Sequence, residues 1–532
     1  MPNTTNNKNP ATSENHRGIG SLKTFRAVLK NVDNSKSIDI SSLIVDVSIY
    51  EDIFSKTLYG EAAIKDSVNL LNGIQLSENP NDSFPIVGEE YLEIRYSLFD
   101  DTPEVFRRFF VYSVKNISID ENLKSRNYVL NFCSEEHLID STTLVQKSYR
   151  DNIGNIVQDI LENYLMVNEE TENGKRKKIY QIQQTRGQQQ LVIPKLSPLE
   201  TLDLLARRSI ADKLFTSASY LFFENKDGFN FCDIEYLIQR GKEKILKEQE
   251  DNRVNSTFSS IYRYYYQNPT NSSGNVPGQR SIHPGKGHDD EGSAYKTIIS
   301  MNQLHKFDTI EKLRNGYFES DVIVYDLINR SVTPNIFQFL DKYKDSNTLG
   351  STNTGTTFPE NSLDFIRSVT QSPSAPPKIF GIFSIANGEV DPVSGKHTKV
   401  FFIPNNTDSK HKTYLEEIYP NRASYMSRLV QNMFSIEVYG DTEIGAGDVI
   451  TIDLPEIDGF TSGSKFDKYM SGYFLVTSIH HKLTSDSYHC TYDIFKNGFS
   501  QGVINSELGD QVAANPFINI ELDPPITNAK GI

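Results

Sequence analysis

Three clusters in the sequence carry side chains suited to chemistry. His283, His288, Asp289, Asp290 and Glu291 fall within HPGKGHDDE, a set of donor types that can hold a metal ion. They sit in a Gly/Ser/Pro-rich tract with no rigid element to fix the donors, so a solvated acidic loop is the default reading. His480 and His481 precede His489 on what reads as the next strand. Neighbouring strand residues point to opposite faces, so only one of the first pair can share a face with His489. Two imidazoles make a poor site, and ordinary strand histidines are expected. Lys175, Arg176, Lys177 and Lys178 form the one basic run. It follows Asn173-Gly174 and reads as a solvated hairpin tip rather than a nucleic-acid patch. The stretch His283 to Gly287 lacks both the Lys-Ser/Thr pair and the strand-to-helix setting of a phosphate loop. No G-x-S-x-G elbow, H-E-x-x-H helix or cysteine-nucleophile signature occurs. A glycosidase-type acid pair cannot be found by spacing among 69 acidic residues. The expectation is a protein that is not an enzyme, with no catalytic, cofactor-binding or metal-binding residues.

These positions need a frame, and the chain supplies a long one. Its 532 residues suggest three or four domains. With 31 Phe and 27 Tyr, though no Trp, it can bury substantial cores. No run reaches the length of a membrane-spanning helix. The N-terminus, MPNTTNNKNPATSENHRGIG, has no apolar signal region and reads as a flexible polar arm. Cys133, Cys232 and Cys490 are few and far apart, which points to buried thiols in a reducing cytoplasm rather than a disulfide framework. A formal charge of −15 disfavours a nucleic-acid-gripping surface.

The region Met433 to Gly498 has the make-up of half a small antiparallel barrel. FSIEVYG, DVITIDL, GYFLVTSIHH and YHCTYDIF alternate apolar and polar residues, punctuated by Gly, Asp, Pro and Ser. The same order occurs between Tyr59 and Glu136. Tyr59-Gly60-Glu61 aligns with Tyr439-Gly440-Asp441, and Gly88-Glu89-Glu90 with Gly447-Asp448. FVYSV ending at Val114 aligns with FLVTS ending at Ser478, and Asn127 to Cys133 with Ser487 to Tyr492. This reads as one barrel used twice. Between the two, Ile153, Ile156, Val157, Ile160, Leu161 and Leu165 mark a helix face. Ser197, Pro198 and Glu200 spell a capping box at the start of another helix. A hairpin turning at Lys226-Asp227-Gly228 could supply missing strands to the second barrel. NRASYMSRLVQNM reads as a helix feeding into Met433.

The fold class expected is mainly β with an α+β insertion: two similar antiparallel β-barrel domains plus a lateral α+β domain. The divisions are a flexible N-terminal arm, 1–22; a first barrel, 23–136; and a lateral domain, 137–214 with 255–430, carrying loose loops 268–294 and 342–377. A second barrel combines 215–240 with 431–499, and 500–532 is an extended C-terminal arm.

YEDIFSKTLYGEAAIKDSVNLL, SPLETLDLLARRSIAD followed by SYLFFENKDGFNFCDI, LRNGYFESDVIVYD, and GDVITIDL…YMSGYFLVTSIHHKL…YHCTYDIF occur in an order that resembles the central baseplate hub proteins of T-even-like contractile-tailed phages. Similar phrasing occurs in late-control tail proteins and the hub part of type VI secretion spikes. The resemblance spans roughly Phe25 to Phe499. It implies a homotrimer whose two tail-tube-like barrels per chain make a pseudo-sixfold ring. The ring would join a sixfold tail tube to a threefold central spike and line a channel for DNA. Implied partners are the trimeric spike (in some relatives a spike-lysozyme), tail-tube or tube-initiator proteins and other baseplate wedge proteins. DNA would pass without specific binding, and no membrane insertion is expected. The implied location is the tail baseplate of the virion, assembled in the host cytoplasm. The alternatives are the hub of a secretion or bacteriocin-like injection device, a tail-associated cell-wall hydrolase, or a carbohydrate-binding surface protein.

Overall fold

The computed structural model describes residues 20–75, 83–98, 103–120, 124–167, 170–171, 174–175, 178–212, 217–255, 261–266, 296–305, 308, 319–326, 330–338, 349, 400–404, 413–429, 432–454 and 471–496. The chain is mainly β, built on one large sheet. Twelve of its strands matter here. Six are early: β1 (Leu22–Asn31), β2 (Ile44–Asp52), β3 (Tyr59–Asp66), β4 (Glu90–Leu98), β5 (Val105–Ile119) and β6 (Arg126–Cys133). Six are late: β7 (Arg263–Tyr266), β8 (Thr297–His305), β9 (Met433–Tyr439), β10 (Val449–Asp453), β11 (Gly472–Leu483) and β12 (Tyr488–Phe495). Other strands are named by residue range. Alternation of apolar and polar residues makes these strands: in β9, Phe434, Ile436 and Val438 are buried while the residues between them are half-buried.

Both sets use one neighbour order. The early strands run β1-β4-β5-β6-β3-β2, and the late strands run β7-β10-β11-β12-β9-β8. The late set closes on itself through parallel pairing of Tyr265 with Thr297 and Tyr266 with Ile298. The early set has no direct β1–β2 ladder. One direction also differs, since β1 is antiparallel to β4 whereas β7 is parallel to β10.

Pairing partners carry the match to single residues. Tyr59 and Met433 stand opposite Cys133 and Phe495, and Phe110 and Leu475 stand opposite the same two residues. A β-bulge falls between Val111 and Ser113 in one set and between Val476 and Ser478 in the other. A second falls between Ile44 and Asp46, and between Ile298 and Ser300. Bulges are specific features, so two at matching places mark the sets as equivalent.

The pairing also corrects the sequence alignment. Tyr59 matches Met433 rather than Tyr439, Phe110 matches Leu475 rather than Phe474, and Asn127 matches His489 rather than Ser487. The slips of six and two residues preserve the alternation of faces, so the hydrophobic pattern could not expose them, whereas the one-residue slip at Phe110 placed that strand on the wrong face. The turn match is one residue out: Tyr91 opposite Phe110 and Val449 opposite Leu475 make Glu90 the counterpart of Asp448 and put Gly88 level with Ala446, although Gly88 and Gly447 share φ values of 92° and 90°. Each precedes a carboxylate that folds back onto its own turn. Glu90 accepts from Val87 N at 2.7 Å and Gly88 N at 2.9 Å, and Asp448 accepts from Gly445 N at 3.0 Å.

The hairpin formed by Tyr220–Asn225 and Gly228–Asp233 does not enter the late set, contrary to the expectation from sequence. It pairs instead with Tyr180–Ile182 in a separate three-stranded sheet, and the late set takes β7 and β8 from the stretch expected to be lateral. The physical reason is that both faces of the hairpin are apolar. Tyr220, Phe222, Phe229 and Phe231 pack on helices α1 (Ile153–Asn163) and α2 (Pro198–Arg207), while Leu221, Phe223 and Cys232 pack with Val449, Leu475 and Phe495. It is a wedge between cores. The capping box is present, with Ser197 Oγ accepting from Glu200 N at 3.3 Å, and the expected apolar face of α1 is buried. A third sheet, Glu319–Asp326 with Ser331–Gln338 and Val400–Pro404, packs on a helix, Leu415–Leu429. That helix begins earlier than its sequence motif and contains Pro420. The two arms (except residues 20–22) and the loose loops 268–294 and 342–377 (except Leu349) lie outside the described residues.

The two matched turns predict different costs for one substitution. Alanine at either position meets the same left-handed backbone penalty, about 1–2 kcal/mol. At Gly88 the new methyl enters open space, whereas at Gly447 it lies 3.0 Å from Phe223 Cζ and 3.4 Å from Leu237 Cδ2. Gly447→Ala should therefore lower the urea midpoint further than Gly88→Ala. Equal losses would show that packing beside Gly447 relaxes freely.

Candidate functional site: the seam between the strand sets

A strand edge carries backbone donors and acceptors that must find partners. β11 satisfies two different strands along one edge. Its first residues pair with β10, from Leu475 opposite Val449 to Gly472 opposite Ile452. Past the bulge, Ser478 to Leu483 pair with β2, from Asp52 to Val47. The hand-over is tightly held: Gly447 N donates to Val476 O at 2.8 Å, Val476 N to Asp448 O at 2.9 Å, and Ile53 N to Thr477 O at 3.0 Å. The seam β2–β11 thereby joins the two sets into one sheet.

The tip of the β11–β12 hairpin goes further and occupies the opening of the early set. One side of the hairpin pairs with β2. On the other, Leu22 N donates to Asp486 O at 3.0 Å and Tyr488 N to Gly20 O at 2.9 Å. Tyr488 also meets the Tyr96 ring edge-on at 5.3 Å. One apolar core, including Leu92, Ile94, Phe109 and Phe132 with Ile436, Ile450, Phe474 and Tyr492, runs through both sets.

Beneath the seam lies a buried ion pair. Glu51 Oε1 is 3.5 Å from His481 Nε2, and Glu51 Oε2 accepts from Ala446 N at 3.1 Å. Tyr488 Oη donates to the carbonyl of Asp441 at 3.0 Å, so its contact with His481 Nδ1 at 2.8 Å requires the imidazole to donate there. With Nε2 facing a carboxylate, both ring nitrogens carry protons. Burial opposes that charge, but Cys490, whose Sγ is 3.4 Å from Nδ1, and the Glu51 carboxylate raise the His481 pKa to about 10. Burial likewise pushes Glu51 upward, and bonding to His481 more than offsets it, leaving Glu51 below its ordinary value. His480 lies on the other face, stacked on Tyr50 at 4.6 Å with Nε2 3.0 Å from Ser48 Oγ. Burial, then the charges of His481 and Lys482, lowers its pKa.

The sequence candidates are therefore scattered. His480 shares a face with His489, yet stands opposite Thr491 while His489 stands opposite Lys482 and leans on Tyr439. The cluster of His283, His288, Asp289, Asp290 and Glu291 lies outside the described residues. Of the basic run, Arg176 and Lys177 also lie outside them, and Lys178 corrects the reading of a solvated tip. Its Nζ is held between Glu136 at 2.5 Å and Glu224 at 2.6 Å, while Glu224 accepts from Leu58 N at 2.9 Å. Burial works against its charge, but the two carboxylates raise its pKa above the usual lysine range. This bridge ties the wedge hairpin to the early set. Sequence reading missed Glu51, because an acidic residue in a strand normally marks the solvent face. The signal available was the Glu51-Asp52 break in an otherwise alternating run. Cys133, Cys232 and Cys490 are buried free thiols. Among the described residues no three His, Cys, Asp or Glu side chains form a group that could hold a metal ion, and no helix is long and apolar enough to cross a membrane.

No family model and no curated protein matches this chain. Among solved structures it is similar to a tail protein from Neisseria meningitidis MC58, with 9% identity and a TM-score of 0.44 over 89% of this chain and 97% of that one. It is also similar to the 43 kDa tail protein of prophage MuSo2 from Shewanella oneidensis, with 9% identity and a TM-score of 0.42 over 89% and 99%. A third is an E. coli component of the type VI secretion system described as similar to T4 phage tail proteins, with 7% identity and a TM-score of 0.33 over 86% and 76%.

The ion pair predicts a pH window. His481, raised from 6.5, contributes fully below pH 6.5 and loses its contribution as pH rises through about 10. Glu51, lowered from 4.5, contributes above pH 4.5 and loses it on acidification. Glu51→Gln or His481→Gln alone should each cost about 3–5 kcal/mol by stranding a buried charge. The double variant should cost less than the sum, and its deficit should be larger at about pH 5.5 than about pH 9. Urea melts at both pH values check this; additive losses independent of pH would show the pair uncharged.

Proposed function

We propose that the chain is a structural hub of a phage-tail-like injection machine. Three copies would place six strand sets around a channel, joining a sixfold tube to a threefold spike. The observation that carries this reading is the equivalence of the two strand sets, down to two bulges and a carboxylate-held glycine turn, within one continuous sheet. A symmetry adaptor needs what a duplicated chain provides, two quasi-equivalent modules per protomer. In this reading each set is a barrel domain, the early one over 23–136 and the late one formed by β7 to β12. The wedge hairpin, the helices and the three-stranded sheets make up the lateral domain. The role is assembly rather than catalysis. Binding energy would come from sheet edges and apolar faces buried between copies, where obligate interfaces exceed about 2,000 Å².

In this reading the partners are those that the family resemblance implies. The spike would seat on the threefold face and tube or tube-initiator proteins on the sixfold face, with wedge proteins outside. A formal charge of −15 suits a conduit that lets DNA pass without gripping it. The location in this reading is the tail baseplate of the virion. An effector-carrying secretion device built on the same ring would be told apart by neighbouring genes for capsid, portal and terminase.

Light scattering on the purified chain, alone and with its candidate spike protein, tests the ring. The expected mass is three times 60.3 kDa, either unaided or once the spike is added. A stable single chain indifferent to the spike would overturn the reading.

A further inference from the structure

The equivalence of the sets exposes an unmade junction. Within the chain, the outer edge of β2 meets the outer edge of β11. The counterpart of β2 is β8, and the counterpart of β11 is β5. Among the described residues each counterpart is paired along only part of that edge. β8 pairs with β7 only at Thr297 and Ile298, and β5 pairs with β4 only as far as Phe110. The contrast in exposure is large at matching places. Leu483 in the completed seam is 0% exposed, whereas its counterpart Ile119 is 58% exposed. Ile117 and Leu304 on the two open edges are 56% and 55% exposed. Long open edges with apolar side chains are what soluble proteins avoid unless something pairs with them.

We infer that residues Lys115–Ile119 of one copy pair antiparallel with Met301–His305 of a second copy, repeating the β2–β11 seam between chains. The internal seam sets the register. Tyr50 stands opposite His480, Ser48 opposite Lys482 and Val47 opposite Leu483. Tyr50 and His305 both face the first residue of the next strand, Tyr59 and Met433, and His480 and Lys115 face Thr491 and Val129. Transferring the register places His305 opposite Lys115, Asn302 opposite Ser118 and Met301 opposite Ile119. The Met301–His305 edge carries no Lys or Arg, so Lys115 meets no fixed positive charge there. Such a contact is head to tail, and one that repeats the internal seam continues the same sheet from copy to copy. The inference rests on the ring reading above for the number of copies, but the junction is specific to these two edges.

Disulfide trapping tests the register. In the internal seam the bond from Ile53 N to Thr477 O marks a hydrogen-bonded pair. Alternation makes Ser48 and Lys482 a non-hydrogen-bonded pair, the closer kind at about 4.5 Å between Cα atoms. Its counterpart is Asn302 with Ser118, both exposed, and a disulfide spans about 4.4–6.8 Å. The full chain carrying Asn302→Cys and Ser118→Cys, mixed with its spike protein and oxidised, should give a reducible ladder of two and three chains. Asn302→Cys with Lys115→Cys, three residues out of register, should not. Ile119→Asp should leave the melting temperature unchanged and lower the three-chain fraction by light scattering. Three-chain particles that fail to cross-link at 302 and 118, or that cross-link equally in both pairs, would overturn the junction and leave the ring standing. Single-chain particles with and without the spike would overturn both.

Discussion

The constraint on which the rest of this structure depends is the unpaired strand edge. Backbone amides and carbonyls removed from water must be matched, and a sheet that does not close leaves two rows of them. The late set nearly removes its edges by closing, with Tyr264 of β7 held to Asp441 by a 2.6 Å hydrogen bond. The early set does not close, and borrows the β11–β12 hairpin instead. One hairpin thus completes its own set at its base and fills its sister at its tip. This is why the bulge at Val476 to Ser478, the Gly447 turn and Ile53 converge on one spot: the edge changes partner there, and a bulge re-aims a strand at the cost of one unpaired residue.

The buried charges follow from that sharing. Where two strand sets meet and a turn must also be satisfied, apolar side chains cannot provide acceptors for backbone groups such as Ala446 N. Glu51 does so, and once a carboxylate is buried it needs a cation, which His481 supplies. The same logic places Glu224 against Leu58 N and Lys178 beside Glu224. Such pairs add little net stability compared with apolar packing, but they penalise every arrangement that separates the partners. They therefore act on register: a one-residue slip along β2–β11 would leave Glu51 without its imidazolium and Ala446 N without its acceptor.

Much of the frame was legible in the sequence. Ser197, Pro198 and Glu200 announced a helix start by local hydrogen bonding alone, and Lys226-Asp227-Gly228 announced a turn. The turns at Gly88 and Gly447 were paired to within one residue because a left-handed turn followed by a carboxylate is local chemistry. What failed depended on distant contacts. The hairpin Tyr220 to Asp233 reads the same whether it joins a barrel or is wedged between two cores, and only its buried alternate faces separate the cases. Thr297 to His305 was not picked out at all, because its open edge leaves Ile299 and Leu304 exposed and weakens the alternation that marks a strand. Glu51 and His481 are 430 positions apart in the chain, and no spacing rule links them.

The two sets also differ in a way that gives the chain direction. The early set is open between β1 and β2 and accepts a hairpin there; the late set donates that hairpin and is closed by a short parallel strand. A chain made of two identical closed units would have no reason to place its halves in a fixed order. Here the donor and acceptor roles are assigned, and the two halves share a core that neither can complete alone. Folding of the early set therefore waits on residues more than 350 positions downstream, a high-contact-order arrangement in which long loops close before their contacts contribute. Strands β7 and β8 enter the late set from between the wedge and the third sheet, so the lateral elements sit inside the connection that must close. Their compact cores shorten the effective loop, because a folded insertion brings its own ends together before the seam forms.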